Sequence, residues 1–409
     1  MMSSLPDAAS LGGLSIDKAL NNVRAYLGMD VAYLSEFVGD EIVFRHVDAP
    51  GLDHLIRPGD SQALDSVYCK HILEGRLPAL IPDTANEPVA VGMPITAAVP
   101  IGSHMSLPIR LPDGEIYGMF CCLSARPNPS LNQRDLALMR MFADLAAERI
   151  ADRVMTEREH AGIRQRVLQM LDEDGFDLVY QPIVDLGSGR VAGFECLSRF
   201  ASEPYRAPNL WFEEARLVDL GEELELAAIR RALERLASLP DDVYLSVNAS
   251  PDVITGHRLV PLLLSVESRH LKRLVLEVTE HHVVPDYGKL HEKLDPLRLA
   301  GVRLAVDDAG AGYSSLSHIL QLRPDIIKLD MKLVRDIDTD PSRRSLAAAI
   351  VHFAREIGVT VVAEGIETES EEAVLRLLEI GKGQGYRLGR PADFRAALAR
   401  LGITESLVA

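Results

Sequence analysis

The chain has 409 residues, 47% hydrophobic and 25% charged, with a formal net charge of −17. That length holds two or three domains and a substantial core, and the acidic balance excludes a general surface for nucleic-acid polymers, which would be basic. Cys69, Cys121, Cys122 and Cys196 show neither CxxC spacing nor a paired framework, nothing after Met1 reads as a signal peptide, and no apolar run approaches membrane-spanning length; the expectation is a cytoplasmic protein with reduced thiols and no membrane partner.

In chain order, residues 1–130 predict an α+β domain on an antiparallel sheet. A helix is followed by short strands over 31–37, 41–46, 80–83, 97–101, 104–111 and 116–123. Leu111-Pro-Asp-Gly is a turn that makes the last two a hairpin. Cys121 and Cys122 are neighbours on one strand and point to opposite faces. Residues 131–174 read as a connecting helix with apolar Leu138, Phe142, Leu145, Ala146, Ile150 and Val154, and with Gly162 as its weak point. Two readings stay open there: a helix packed on its own domain, or a parallel coiled coil joining two chains as a homodimer.

From 175 to 409, apolar runs of four to six residues alternate with amphipathic helical stretches, the pattern of parallel β-α units. The expected fold class is α/β, with this segment forming one (β/α)₈ TIM-like barrel whose chemistry gathers at the carboxyl ends of its strands. A doubly wound sheet also fits the alternation, but no glycine-rich phosphate loop accompanies it. Nearly every run closes on an oxygen-bearing side chain: Glu195, Asn248, Glu277 with Glu280, Asp307 with Asp308, and Glu364, followed by Gln384. Converging on one rim, they form a pocket for hard divalent cations, magnesium or manganese. Two such ions can activate water and clamp a phosphoryl group. Lys328, on an otherwise apolar strand, would stabilise developing charge as an ammonium or, deprotonated, accept a proton from water. For Asp325 and Asp330 a structural role is preferred.

The motifs Gln181-Pro-Ile, Glu195-Cys-Leu-Ser-Arg199, Asn248-Ala-Ser-Pro, Glu277-Val-Thr-Glu280, Asp307-Asp-Ala-Gly-Ala-Gly-Tyr-Ser-Ser, Asp325-Ile-Ile-Lys328, Glu364-Gly-Ile-Glu367 and Gln384-Gly-Tyr386 together resemble the EAL-domain phosphodiesterases of cyclic di-GMP. The resemblance implies hydrolysis of cyclic di-GMP to linear pGpG. Metal would be held by Glu195, Asn248, Glu277, Asp307, Asp308 and Glu364. Lys328 would assist the nucleophilic water, with Glu195 and Asp308 in the catalytic set, and Glu280 would anchor the loop after Asp308. Substrate would meet Gln181, Leu197, Arg199, Glu367, Gln384 and Tyr386. Three departures stand out: Cys196 for the signature alanine, Ala309 for a usual phenylalanine, and a shortened run before Gln384 that lacks its usual aspartate. The last two are the support for the alternative, a cyclic di-GMP receptor that does not cleave its ligand. The N-terminal region, through Tyr68-Cys69-Lys-His71 and Leu107-Pro-Ile-Arg-Leu-Pro-Asp-Gly, resembles a GAF sensor domain. That implies regulation of the barrel by a ligand that the sequence does not name. Cys69 as a chromophore or redox thiol, and His71 or His104 as haem ligands, compete with the preferred reading of a buried thiol and ordinary polar residues.

Overall fold

The structure, a computed structural model, describes residues 15–173, 175–201, 205–279, 284–310 and 316–403. The chain divides into two compact units, residues 1–159 and 160–409, and the division falls inside a helix, Gln133–Asp172, that runs through Gly162 without interruption. No described helix is long and apolar enough to cross a membrane.

The first unit is built on an antiparallel sheet of β1 (Val31–Val38), β2 (Glu41–Asp48), β3 (Ser61–Ala63), β4 (Leu80–Ile81), β5 (Ser103–Arg110) and β6 (Ile116–Ser124), in the order β3-β2-β1-β6-β5-β4. Alternation along each strand gives the sheet two apolar faces. One packs Ala32, Leu34, Phe120 and Cys122 against the helix Ile16–Leu27 and the start of Gln133–Asp172; the other carries Tyr33, Phe44, Met119 and Cys121. The β5–β6 hairpin turns at Leu111–Glu115 as expected. The strand expected over 97–101 does not form. Pro94 at a helix N-terminus, where its missing N–H costs nothing, starts the helix Pro94–Ala98 instead.

The second unit is a closed eight-stranded barrel wrapped by helices: β7 (Phe176–Asp185), β8 (Val191–Phe200), β9 (Tyr244–Asn248), β10 (Leu274–Thr279), β11 (Arg303–Ala309), β12 (Ile326–Leu329), β13 (Thr360–Ala363) and β14 (Lys382–Gly383). Strands β8 to β14 are parallel to one another, whereas β7 is antiparallel to both β14 and β8. The reason is local: β7 and β8 are joined by five residues, Leu186 to Arg190, which close a hairpin but cannot span a parallel crossover. The shortened run before Gln384 still supplies a two-residue strand that pairs with both neighbours and closes the barrel.

Outward-facing Leu276, Val278, Leu304, Val306, Ile327 and Leu329 meet the surrounding helices in the main core. Inside, Ile183, Tyr244, Val275, Ala305, Ile326 and Val362 form an apolar floor. Gly193 belongs to the same level, since a Cβ there would lie 2.8 Å from the Tyr244 ring. With a side-chain period of two, the next inward layer is fixed by the floor. It consists of Gln181, Glu195, Ser246, Glu277, Asp307, Lys328 and Glu364.

Candidate active site

That layer gathers most of the oxygen-bearing side chains. Lys328, 1% exposed, places Nζ 2.7 Å from Glu364 Oε1, 2.8 Å from Glu277 Oε2, 3.1 Å from Asp307 Oδ1 and 3.5 Å from Glu195 Oε2. Burial pulls the pKa of Lys328 down, but the surrounding carboxylates, Asp307 and Glu195 foremost, raise it well above the ordinary lysine range. With these carboxylates around it, the ammonium is the favoured form. Burial, reinforced by neighbouring carboxylates, raises Glu277 to about 8 and lifts Glu364 well above the ordinary range. One ammonium therefore under-compensates four carboxylates, three of them buried and Glu364 half-buried, the condition that a divalent cation relieves.

Two groups of carboxylates have ligand oxygens within 4.8 Å of one another: Glu195, Glu277 and Asp307, and Asp307, Asp308 and Glu364. Asp307 belongs to both. The second group exists because β11 carries a bulge: Val306 pairs with Ile327 and Ala309 with Leu329, leaving one extra residue on β11. Asp308 sits in the bulge at φ 59°, a left-handed conformation that aspartate tolerates better than most residues. Burial, Asp307 and a hydrogen bond with Asp330 push Asp308 up to about 6. Gln384 donates to Glu195 Oε2 at 2.6 Å and to Glu364 Oε1 at 3.1 Å, while its buried Oε1 has no hydrogen-bond partner among the described residues. Carboxylates plus an unsatisfied amide oxygen are the donor set of hard cations, so the residues present fit a metal pair.

Glu195 does not end its strand as the apolar run suggests. It pairs with Ser246 on β9 and Gln181 on β7, and the β7–β8 hairpin continues to Phe200. Leu197 and Arg199 follow on the same face. With Asn248, Glu277 and Thr279 they line a cavity of about 320 Å³ beside the carboxylates. Asn248 is in register with Glu277. Gln384, expected among the substrate contacts, is instead 5% exposed and held within the carboxylate cluster. Gln181, Glu367 and Tyr386 do not line that cavity. Gln181 donates to Gly389 O at 3.4 Å, Glu367 pairs with Arg335, and Tyr386 is 54% exposed under the Arg390 guanidinium. Glu280 and residues 311–315 of the Asp307 motif lie outside the described residues.

Sequence reasoning missed Ser246, which donates to Glu277 Oε1; a serine in an apolar run gives no signal until its inward face is known. It also missed the contact of Asp330 with Asp308, although Asp330 caps the following helix at Lys332 N, 2.6 Å away. Asp325 accepts from Leu304 N at 2.8 Å, a structural bond. Ala309 is fully buried in the outer core.

Residues 164–391 match the family model of the EAL domain, and residues 15–150 that of the GAF domain. Over 251 residues the chain is 33% identical to an uncharacterized signaling protein of Caulobacter vibrioides, covering 59% of this chain and 30% of that one. It is 33% identical over 234 residues to a cyclic di-GMP phosphodiesterase of Pseudomonas aeruginosa, covering 54% and 39%. The chain thus spans less than half the length of these curated relatives. Among solved structures, the phosphodiesterase PaMucR in complex with c-di-GMP superposes with a TM-score of 0.52 at 28% identity, over 58% of this chain and all of that one.

Proposed function

From the premise that the chain belongs to the EAL domain family, with a GAF domain ahead of the barrel, we propose that it hydrolyses cyclic di-GMP to linear pGpG. The observation that carries this reading is the pair of carboxylate groups sharing Asp307 above the apolar floor of the barrel. Glu195, Asn248, Glu277, Asp307, Asp308 and Glu364 would hold two divalent cations, magnesium or manganese. Such ions supply a water of lowered pKa and a clamp on the phosphate oxygens.

The chain's own groups do the rest. Lys328, as an ammonium at the centre of the cluster, would offset charge that develops on the phosphate during in-line attack. Gln384 fixes the orientation of Glu195 and Glu364 through its amide hydrogens. Leu197 and Arg199, on the cavity wall, would take the guanine face and a phosphate oxygen. Glu280 belongs to the same proposal as the anchor of the loop after Asp308.

The organisation proposed with this activity is a sensor over 1–130, a connecting helix over 131–174 and a catalytic barrel over 175–409, working in the cytoplasm as a homodimer regulated through the GAF domain. Exposed Met141, Leu145 and Met155 on the helix Gln133–Asp172 support pairing of two chains. The test is turnover of cyclic di-GMP by the purified chain with magnesium or manganese, beside Glu195→Ala. Product pGpG that requires both metal and Glu195 supports the enzyme; tight binding without product under every metal supports the receptor.

A further inference from the structure

In the first unit Cys69 and Cys121 stand 52 positions apart in the chain, yet their sulfurs lie 3.9 Å from each other. Both are fully buried, Cys69 on the helix Tyr68–Leu73 and Cys121 on β6. Their surroundings are not those of inert core thiols. Ser106 Oγ is 3.0 Å from Cys121 Sγ, the Tyr33 hydroxyl is 3.9 Å from Cys69 Sγ, and His104, two residues before Ser106 on β5, shares that face of the sheet with Cys121. His104 and Tyr33 also line a cavity of about 180 Å³ with otherwise mainly apolar walls. The buried Nδ1 of His104 has no hydrogen-bond partner among the described residues. A small polar molecule in that cavity is thus one side chain away from the sulfur pair.

The two sulfurs differ in character. Burial pushes Cys121 up, but its neighbours Cys69, His104 and Ser106 more than reverse this and hold it well below the usual thiol range. The hydrogen bond to Cys121 and burial raise Cys69. Cys122, on the opposite face of the strand, is raised by burial. An easily ionised thiol beside a protonated one is the pairing of a nucleophile with a resolving thiol.

We infer that Cys69 and Cys121 form a two-electron redox site, at which a small peroxide reaching the adjoining cavity converts the dithiol to a disulfide. Neither sulfur lines the cavity, so peroxide reaches Cys121 through a side-chain movement of Tyr33 or His104. The Cys121 thiolate then attacks one peroxide oxygen, the O–O bond breaks, and the other oxygen leaves as alcohol, or as water from hydrogen peroxide, taking a proton. The Cys69 sulfur then attacks the Cys121 sulfenic acid, forming the S–S bond as the S–O bond breaks and water departs with the remaining proton. In sum, two thiols and one peroxide give a disulfide, one alcohol and one water, and two electrons pass from sulfur to oxygen. Bridging closes the sulfurs from 3.9 Å to about 2.05 Å.

The test is peptide mapping of the full chain after treatment with equimolar hydrogen peroxide. Free thiols are alkylated in denaturant before and after reduction. The expected result is one bridge, Cys69 to Cys121, that dithiothreitol reverses, with Cys122 and Cys196 alkylated as free thiols throughout. Four free thiols after peroxide, a bridge to Cys122, or a Cys121 sulfinic acid beside a free Cys69 would each overturn the inference. His104→Gln keeps both thiols and should slow bridging roughly tenfold; an unchanged rate removes His104 from the site.

Discussion

Asp307 and Asp308 are consecutive residues of one strand, yet ligand oxygens of both lie within 4.8 Å of each other and of one on Glu364. Regular alternation would send one of the two out of the barrel. The bulge in β11 and the left-handed backbone of Asp308 turn both toward the rim.

This arrangement makes the two carboxylates unequal. Asp307→Asn removes a ligand from both groups, so calorimetric titration with manganese should show no saturable binding. Asp308→Asn keeps the local shape and touches one group alone. Its stoichiometry should fall from two ions to one, with turnover lower by about 10- to 100-fold. Two ions retained in Asp308→Asn would contradict the shared-ligand geometry.

Lys328→Ala leaves three buried carboxylates and the half-buried Glu364 without their counter-ion. In chelator the variant should lose about 3–5 kcal/mol against the parent in urea denaturation. Saturating magnesium should restore part of that loss by binding the folded form. Turnover should fall roughly 100-fold or more while cyclic di-GMP binding stays measurable.

Gly385, beside Gln384, has φ 155°, and a Cβ there would lie 2.2 Å from Ile366 N and O. Because backbone cannot yield as a side chain can, Gly385→Ala should cost about 2–4 kcal/mol. It should also lower turnover by displacing Gln384 from Glu195. Parental stability in urea would show that the loop has room to move.

Ala309→Phe introduces the phenylalanine that the resemblance implies at this position. Ala309 is fully buried against the outer core, so the larger ring should overpack it and destabilise the barrel by about 1–3 kcal/mol. A stabilised variant in the same urea series would mean that the site holds unused space.

Glu225 accepts the Ser250 N–H at 2.7 Å in a half-buried setting, and burial raises its pKa. A carboxyl whose folded pKa exceeds its unfolded one contributes fully below the unfolded value, and the contribution fades as pH rises through the folded one. Glu225→Gln should therefore gain stability relative to the parent as pH climbs from about 4 toward neutrality. A difference that is flat across that window would place the ionised carboxylate in water.

The ring of acidic groups was legible because each follows a Val, Ile or Leu run, and parallel strands bring their carboxyl ends together. Lys328 was legible as a charge amid Ile326, Ile327 and Leu329. What escaped depends on register. Gln384 is an amide after a two-residue strand, and only barrel closure shows that it faces Glu195 rather than solvent. The bulge at Asp308 leaves no mark in composition. The reversed direction of β7 did leave one, in the five residues before β8, which are too few for a crossover.

The barrel's last joint is slight: β14 meets β7 through two register pairs, Lys382 with Asp185 and Gly383 with Val184. Glu195 lies on one side of this seam, Glu364 and Gln384 on the other, and the Gln384 amide hydrogen-bonds to both carboxylates. A pair of cations held by Glu195 and Glu364 would act as a rivet across this short edge of the wall. Amide exchange along β7 and β14 should then slow when magnesium is added, while β10 and β11, laced by five register pairs, should be unmoved. The same oxygens that would hold the ions for catalysis would also keep the cylinder from springing open.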